Sequence, residues 1–266
     1  MEQFALITGA SRGIGLAFAE LLARQKYNLL LVARNQSQLV SIQKRLQTDF
    51  MIKVVIFSTD LSLVNSSQEL IDFIQNNKIE IKVVINNAAT GYFGKYSNLS
   101  WSQEMRMMHL NLIAVVYLTK YFLNKMMAIN SGTIINIIST AAFSSGPYMS
   151  SYSASKAYLL SYTESLAEEI KGSRVKLMAL CPGPTQTDFH HQSGMQVSSQ
   201  ELSRMPTAEQ VATYGWRFLQ KKRIVVIYGW ANKILVVLAK ILPRCFIVNM
   251  IGFIKKKKLN FTYRET

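Results

Sequence analysis

Phe4-Ala5-Leu6-Ile7-Thr8-Gly9-Ala10-Ser11-Arg12-Gly13-Ile14-Gly15 is the stretch that decides the fold. An apolar run passes into a glycine-rich turn, after which Ile14, Leu16, Phe18, Leu21 and Leu22 form an amphipathic helix pattern. Strand, turn and helix in this order cradle a pyrophosphate, because a helix start offers free N–H groups. Gly9 permits the tight turn, while Gly13 and Gly15 leave room for close backbone approach. Ser11, Arg12 and Ile14 belong to the same turn and count with it as dinucleotide contacts. The spacing is G-x-x-x-G-x-G, which differs from the general G-x-G-x-x-G fingerprint.

Outward from this turn, short apolar runs alternate with longer helical stretches. Strands are predicted near residues 3–8, 28–33, 52–58, 81–86, 133–138, 174–180 and 224–228. Helices are predicted at about 13–25, 36–49, 66–77, 101–127, 151–171 and 207–220. The strands are rich in Val, Ile and Leu with little alternation, which suits a parallel sheet covered on both faces. The expected fold is therefore α/β, a doubly wound sheet of seven parallel strands. Ligands of such sheets bind at the C-terminal strand ends. The glycine turn, Asn86, Ser139 and Pro182 all fall at such ends and are expected to converge on one cleft.

A second motif supplies chemistry. Tyr152 and Lys156 are four residues apart on a predicted helix, so they share a face, and Ser139 precedes the tyrosine by thirteen residues. A nearby ammonium stabilises a phenolate, which would bring Tyr152 into the range useful for general acid–base catalysis.

Together these residues resemble the short-chain dehydrogenase/reductase family, over roughly residues 3–230. The resemblance rests on Thr8–Gly15, Asn86-Asn87-Ala88-Ala89, the ordered set Asn111, Ser139, Tyr152 and Lys156, and Pro182-Gly183-Pro184-Thr185-Gln186-Thr187. Ala89 departs from the family's glycine by one methyl group. The resemblance implies a Rossmann-type sheet and a reaction at a carbonyl or secondary alcohol, with Tyr152 as general acid/base. Ser139 would hold the substrate oxygen, Lys156 the nicotinamide ribose, and Asn111 a water leading to solvent. Asp60 would contact the adenine or else cap the following helix, Asn87 and Ala88 would line the cofactor, and Pro182, Gly183, Thr185 and Thr187 would flank the nicotinamide. Pairing through helices 101–127 and 151–171 into a dimer or tetramer is also implied.

The second strand ends in Ala33-Arg34-Asn35, with no carboxylate for a ribose 2′-hydroxyl. Arg34, with Arg12, instead suits a 2′-phosphate, so NADP(H) is the expected cofactor. A catalytically silent NADP(H)-binding redox sensor or a membrane-recruited module is the alternative; four intact active-site residues argue against it. No metal is expected, because His190 and His191 have no ligand-type neighbours at metal spacing.

Two cysteines, Cys181 and Cys245, make no disulfide framework, and no leader precedes the first strand, so a cytoplasmic protein is expected. Residues 1–230 are expected to form the catalytic domain, with a substrate lid at about 185–206, and 231–266 a helical extension. Residues 221–266 hold eleven Lys or Arg against one acid, Glu265, and thus ten of the fifteen net positive charges. Their apolar stretches, 230–242 and 245–254, are each too short to span a bilayer. Two readings stay open: a tail lying on the anionic inner face of a membrane, or a helical pair packed over the cleft or a second subunit. Nucleic acid is not an expected partner, since no recognition element or base-stacking array accompanies the charge. An apolar tail favours a hydrophobic small-molecule substrate over a sugar.

Overall fold

The computed structural model describes residues 3–219, 221 and 223–262. Met1, Glu2, Arg264 and Glu265, which entered the reading of the two ends, lie outside the described residues. Seven strands form one parallel sheet: β1 (Phe4–Thr8), β2 (Asn28–Ala33), β3 (Val54–Ser58), β4 (Ile81–Asn86), β5 (Gly132–Ile137), β6 (Val175–Cys181) and β7 (Val225–Ile227). Their order is β3-β2-β1-β4-β5-β6-β7, so the chain reverses direction across the sheet between β1 and β4.

Alternate residues of each strand enter opposite cores, which is why the strands read as continuous apolar runs. Ala5, Ile7, Leu29 and Leu31 pack with α1 (Gly13–Arg24), α2 (Gln36–Phe50) and the later helix Ala208–Leu219. Leu6, Leu30, Val32 and Val84 face the other side, against α3 (Ser66–Asn76) and the helix ending at Ala128. Asn35 starts α2 by accepting a 3.0 Å hydrogen bond from the Gln38 amide, an N-cap that ties the end of β2 to the helix.

The long helix expected over 101–127 is not continuous. α4 (Trp101–Met108) begins with a Ser100/Gln103 capping box, then His109–Ile113 widens into a π turn before α5 (Ala114–Ala128). The sequence carries no proline or glycine to announce this; the π turn is set by what Asn111 bonds to, described below. α6 (Ser150–Glu169) crosses the sheet beside it. Residues 185–206, where a lid is expected, contain two short helices, α7 (Phe189–Gln192) and α8 (Ser199–Ser203), and the chain returns through α9 (Ala208–Leu219).

The tail folds into α10 (Trp230–Ile241) and α11 (Arg244–Thr262), broken at Leu242-Pro243. α10 lies on the turn Thr140–Phe143, and Val236, Ile247 and Leu259 are buried. No helix among the described residues is long and apolar enough to cross a membrane.

Beneath the strand ends runs a buried polar ladder. Asn86 Nδ2 donates to Asn136 Oδ1 (2.9 Å) and Thr119 Oγ1 (3.0 Å), and Asn136 Nδ2 donates to Thr163 Oγ1 (3.0 Å). Asn86 therefore braces β4 against β5 inside the core and does not reach the cleft, contrary to the sequence expectation. Asn136→Ala would strand these partners, and we expect it to destabilise the protein by about 2–3 kcal/mol in urea unfolding.

Candidate active site

The glycine turn closes on the end of β4. Thr8 Oγ1 accepts hydrogen bonds from the amides of Asn87 and Ala88, both 3.0 Å, and Asn87 Nδ2 donates to the Thr8 and Gly9 carbonyls at 3.0 and 3.2 Å. Gly9 and Gly13 have φ of +65° and +54°, the left-handed region. A Cβ on Gly15 would collide with the Gly9 carbonyl and come within 2.6 Å of Asn87 Nδ2. Gly15 therefore serves close packing of helix on turn, rather than leaving open space for a ligand.

A cleft of about 1170 Å³ opens over these strand ends. Gly9, Ser11, Arg12, Gly13, Ile14, Arg34, Asp60, Asn87, Ala88, Ala89, Ser139, Tyr152, Lys156, Pro182, Gly183, Thr185 and Thr187 all line it. Of the residues singled out in the sequence as site residues, Gly15 and Asn111 do not. Asn111 is fully buried behind the wall, where its Oδ1 accepts from the Thr90 amide (2.9 Å) and its Nδ2 donates to the Thr90 carbonyl (2.8 Å) and Ser155 Oγ (3.3 Å). It sits in the π turn, and widening the helix there is what aims its amide at the Thr90 backbone.

Tyr152 and Lys156 are both buried on one face of α6. Lys156 Nζ donates to the Ile137 carbonyl at the end of β5 (3.0 Å) and lies 5.8 Å from the Tyr152 ring centre. Ser139 accepts from the Ala141 amide (3.1 Å) and faces the Tyr152 hydroxyl, whose ionised form it favours. Burial pushes the Tyr152 phenol up to about 12, against the pull of Ser139, and pushes the Lys156 ammonium down to about 8. The direction is opposite to the expected lowering of the tyrosine: Lys156 turns toward the Ile137 carbonyl, and burial dominates. Cys181, at the end of β6, is buried and its thiol is raised to about 12 by the same effect, which suits a packing residue.

At the other end of the cleft, Asp60 accepts from Ser62 N (3.0 Å) and Oγ (2.7 Å) and pairs with Arg106 (2.8 Å) and Arg34 (4.0 Å). Burial would raise its pKa, but these hydrogen bonds and guanidinium charges outweigh it and hold the carboxyl low. Asp60 does not cap α3, whose N-cap is Asn65. Arg12 faces Asp188 of the lid at 3.5 Å. The lining thus carries five cations (Arg12, Arg34, Arg106, Lys156 and Lys255) against two carboxylates, Asp60 and Asp188, and favours an anionic ligand.

Two parts of this site escape the sequence reading, and a third answers to one of the two readings left open for the tail. Arg106 arrives from α4, where nothing local marks it. Tyr92, Phe93, Met149, Phe189 and Met195 surround Tyr152, with the Phe189 ring 5.3 Å from it. α10 and α11 supply a long apolar wall that includes Leu235, Val236, Ile251 and Ile254. Among the described residues no group of His, Cys, Asp or Glu could hold a metal.

A glycine cradle at the switch point of a parallel sheet, beside a buried Tyr-Lys pair, defines an α/β dinucleotide-binding protein with an acid–base centre. The chain belongs to the short chain dehydrogenase family, which residues 3–197 match. It is 31% identical to the ketoacyl reductase HetN of Nostoc sp. over 84% of this chain and 77% of the relative. Its fold superposes on a 7beta-hydroxysteroid dehydrogenase with TM-score 0.86 and 23% identity, covering 94% of this chain and 96% of the other. Such coverage extends the likeness of fold into the C-terminal helices. A short-chain dehydrogenase from Sphingobium yanoikuyae in complex with NADPH gives TM-score 0.80 at 26% identity, covering 90% of this chain and 93% of that one. The chain is accordingly an oxidoreductase of CH-OH and C=O groups.

Gly15→Ala forces the helix start away from Gly9 and Asn87. We expect a loss of about 1–3 kcal/mol in thermal unfolding, together with weakened dinucleotide binding by titration.

Proposed function

We propose that this chain is an NADP(H)-dependent oxidoreductase that interconverts a carbonyl and a secondary alcohol on a hydrophobic substrate. The observation that carries the reading is the buried Tyr152–Lys156 pair with Ser139 on the same cleft, beside a glycine cradle and an apolar cavity wall. The residues present fit a dinucleotide: the positive-φ glycines expose backbone amides, and no carboxylate follows β2. Gly9, Ser11, Arg12, Gly13 and Ile14 would hold the pyrophosphate, Arg34 and Arg106 the 2′-phosphate, and Asp60 the adenine end. Asn87, Ala88, Pro182, Gly183, Thr185 and Thr187 would bound the nicotinamide. When bound, the nicotinamide supplies the hydride chemistry.

The protein's own residues handle the proton. Tyr152, raised to about 12, keeps its proton throughout the neutral range and can donate it to a carbonyl oxygen held by Ser139. Lys156, lowered to about 8, is charged below that pH and stabilises the phenolate left behind. Asn111 fixes the Thr90 backbone that borders the pocket, so it acts as a positioning residue. The enzyme is expected to oxidise NADPH in preference to NADH with at least one apolar ketone. Tyr152→Phe should cut that turnover by roughly 10²–10⁴-fold without loss of NADPH binding; turnover that survives the substitution would remove Tyr152 from the chemistry.

A second reading concerns the tail. On α10, Trp230, Ile234, Val237 and Ile241 form one exposed apolar stripe, and on α11 Phe246, Met250 and Phe253 form another, beside Lys256 and Lys257. Apolar stripes bordered by lysines support peripheral contact with an anionic membrane surface, each lysine adding about 1 kcal/mol. Exposed Met108, Ile113, Tyr117 and Tyr158 on α4–α6 and the π turn support pairing into an oligomer. The full chain should sediment with phosphatidylglycerol vesicles and not with phosphatidylcholine alone. The double variant Ile234→Glu/Phe253→Glu should stay in the supernatant; sedimentation equal to that of the parent would argue against this surface.

A further inference from the structure

Lys255 opens the basic run of α11, yet it turns inward, away from the exposed Lys256 and Lys257. It lines the catalytic cleft, and its Nζ stands 3.3 Å from where a Cβ of Gly146 would be. Among the described residues it makes no hydrogen bond and no ion pair. The same Cβ would collide with Ser153 Oγ, so the ammonium and this hydroxyl are neighbours across the bare glycine. Ser153 also lines the cleft, is 3% exposed, and its buried hydroxyl has no hydrogen-bond partner. An unpartnered hydroxyl and a largely desolvated ammonium both cost free energy unless something completes them.

We propose that Lys255 and Ser153 form an anion subsite, in the same cleft as Ser139 and Tyr152, that holds the carboxylate of an amphipathic oxo acid. The apolar lining supports this: Leu235, Val236, Ile251 and Ile254 border the same cleft and suit a ligand that is otherwise hydrocarbon. Burial lowers the Lys255 amine to about 8, which leaves it charged at neutral pH and only partly hydrated. A weakly hydrated cation paired with a hydroxyl donor gives a carboxylate charge-assisted hydrogen bonds that bulk water does not outcompete. The carbonyl half of this proposal rests on the oxidoreductase reading above; the acid half stands by itself.

The test is calorimetric titration of the full chain with octanoate and with neutral 1-octanol. The parent should bind octanoate roughly tenfold or more tighter. Lys255→Met should abolish that preference, Lys255→Arg should retain most of it, and Lys256→Met should leave it intact. Equal affinity of the parent for both probes would overturn the subsite. So would a preference that survives Lys255→Met, or one that Lys256→Met removes equally, because diffuse tail charge would then be the cause. Binding is read without cofactor or turnover. An inactive protein that still discriminates octanoate would sink the carbonyl reading and spare the subsite, whereas an active one that does not would do the reverse.

Discussion

The Thr8 hydroxyl and the Asn87 amide are the contacts on which the rest of the site depends. They tie the end of β1 to the end of β4, the two strands between which the sheet order reverses. Because Asn87 must reach the Thr8 and Gly9 carbonyls, no side chain fits at Gly15, and Gly9 must take a left-handed conformation. The turn is thus held by the protein itself in the shape that presents free amides. A dinucleotide then meets an ordered cradle, and the entropy of ordering a flexible glycine loop is not charged against binding.

The same logic continues one layer down. The ladder of Asn86, Asn136, Thr119 and Thr163 joins β4 and β5 to α5 and α6, the helix that carries Tyr152 and Lys156. Lys156 returns to β5 through the Ile137 carbonyl, and Asn111 pins Thr90 from the π turn. Lys156 is therefore anchored to a strand end, and the helix that also carries Tyr152 is tied to β5 through Asn136 and Thr163. Misplacement of about 1 Å at a reacting centre can cost roughly 10²-fold in rate, so buried polar bonds that add little net stability still earn their place by fixing geometry.

How far the sequence could be read follows from how local each feature is. Apolar strand runs, the Gly9–Gly15 turn and the Tyr152–Lys156 spacing are short-range patterns, and all of them stand in the structure where the sequence puts them. Asn86 was misassigned because a residue at a strand end can face up into the cleft or down into the core, and its partner Asn136 is fifty positions away. The π turn escaped for the same reason, since it answers to Thr90 and Ser155 and to nothing within its own helix. Arg106, Lys255 and Ser153 belong to the cleft only through tertiary packing. Their residue types are ordinary surface ones, and only their surroundings distinguish them.

Electrostatics explains why the tail belongs to this site. Without α10 and α11 the cleft would lose Leu235, Val236, Ile251 and Ile254, and that apolar flank would open to water. An apolar flank strengthens the charge interactions beside it, and burial holds the Tyr152 phenol neutral. The cost of that wall is a pair of helices whose outer faces are also apolar, with Trp230, Ile241 and Phe253 exposed. Lys256 and Lys257 lie exposed beside the α11 face. Enclosure of the chemistry and the character of the outer surface are thus two consequences of the same two helices.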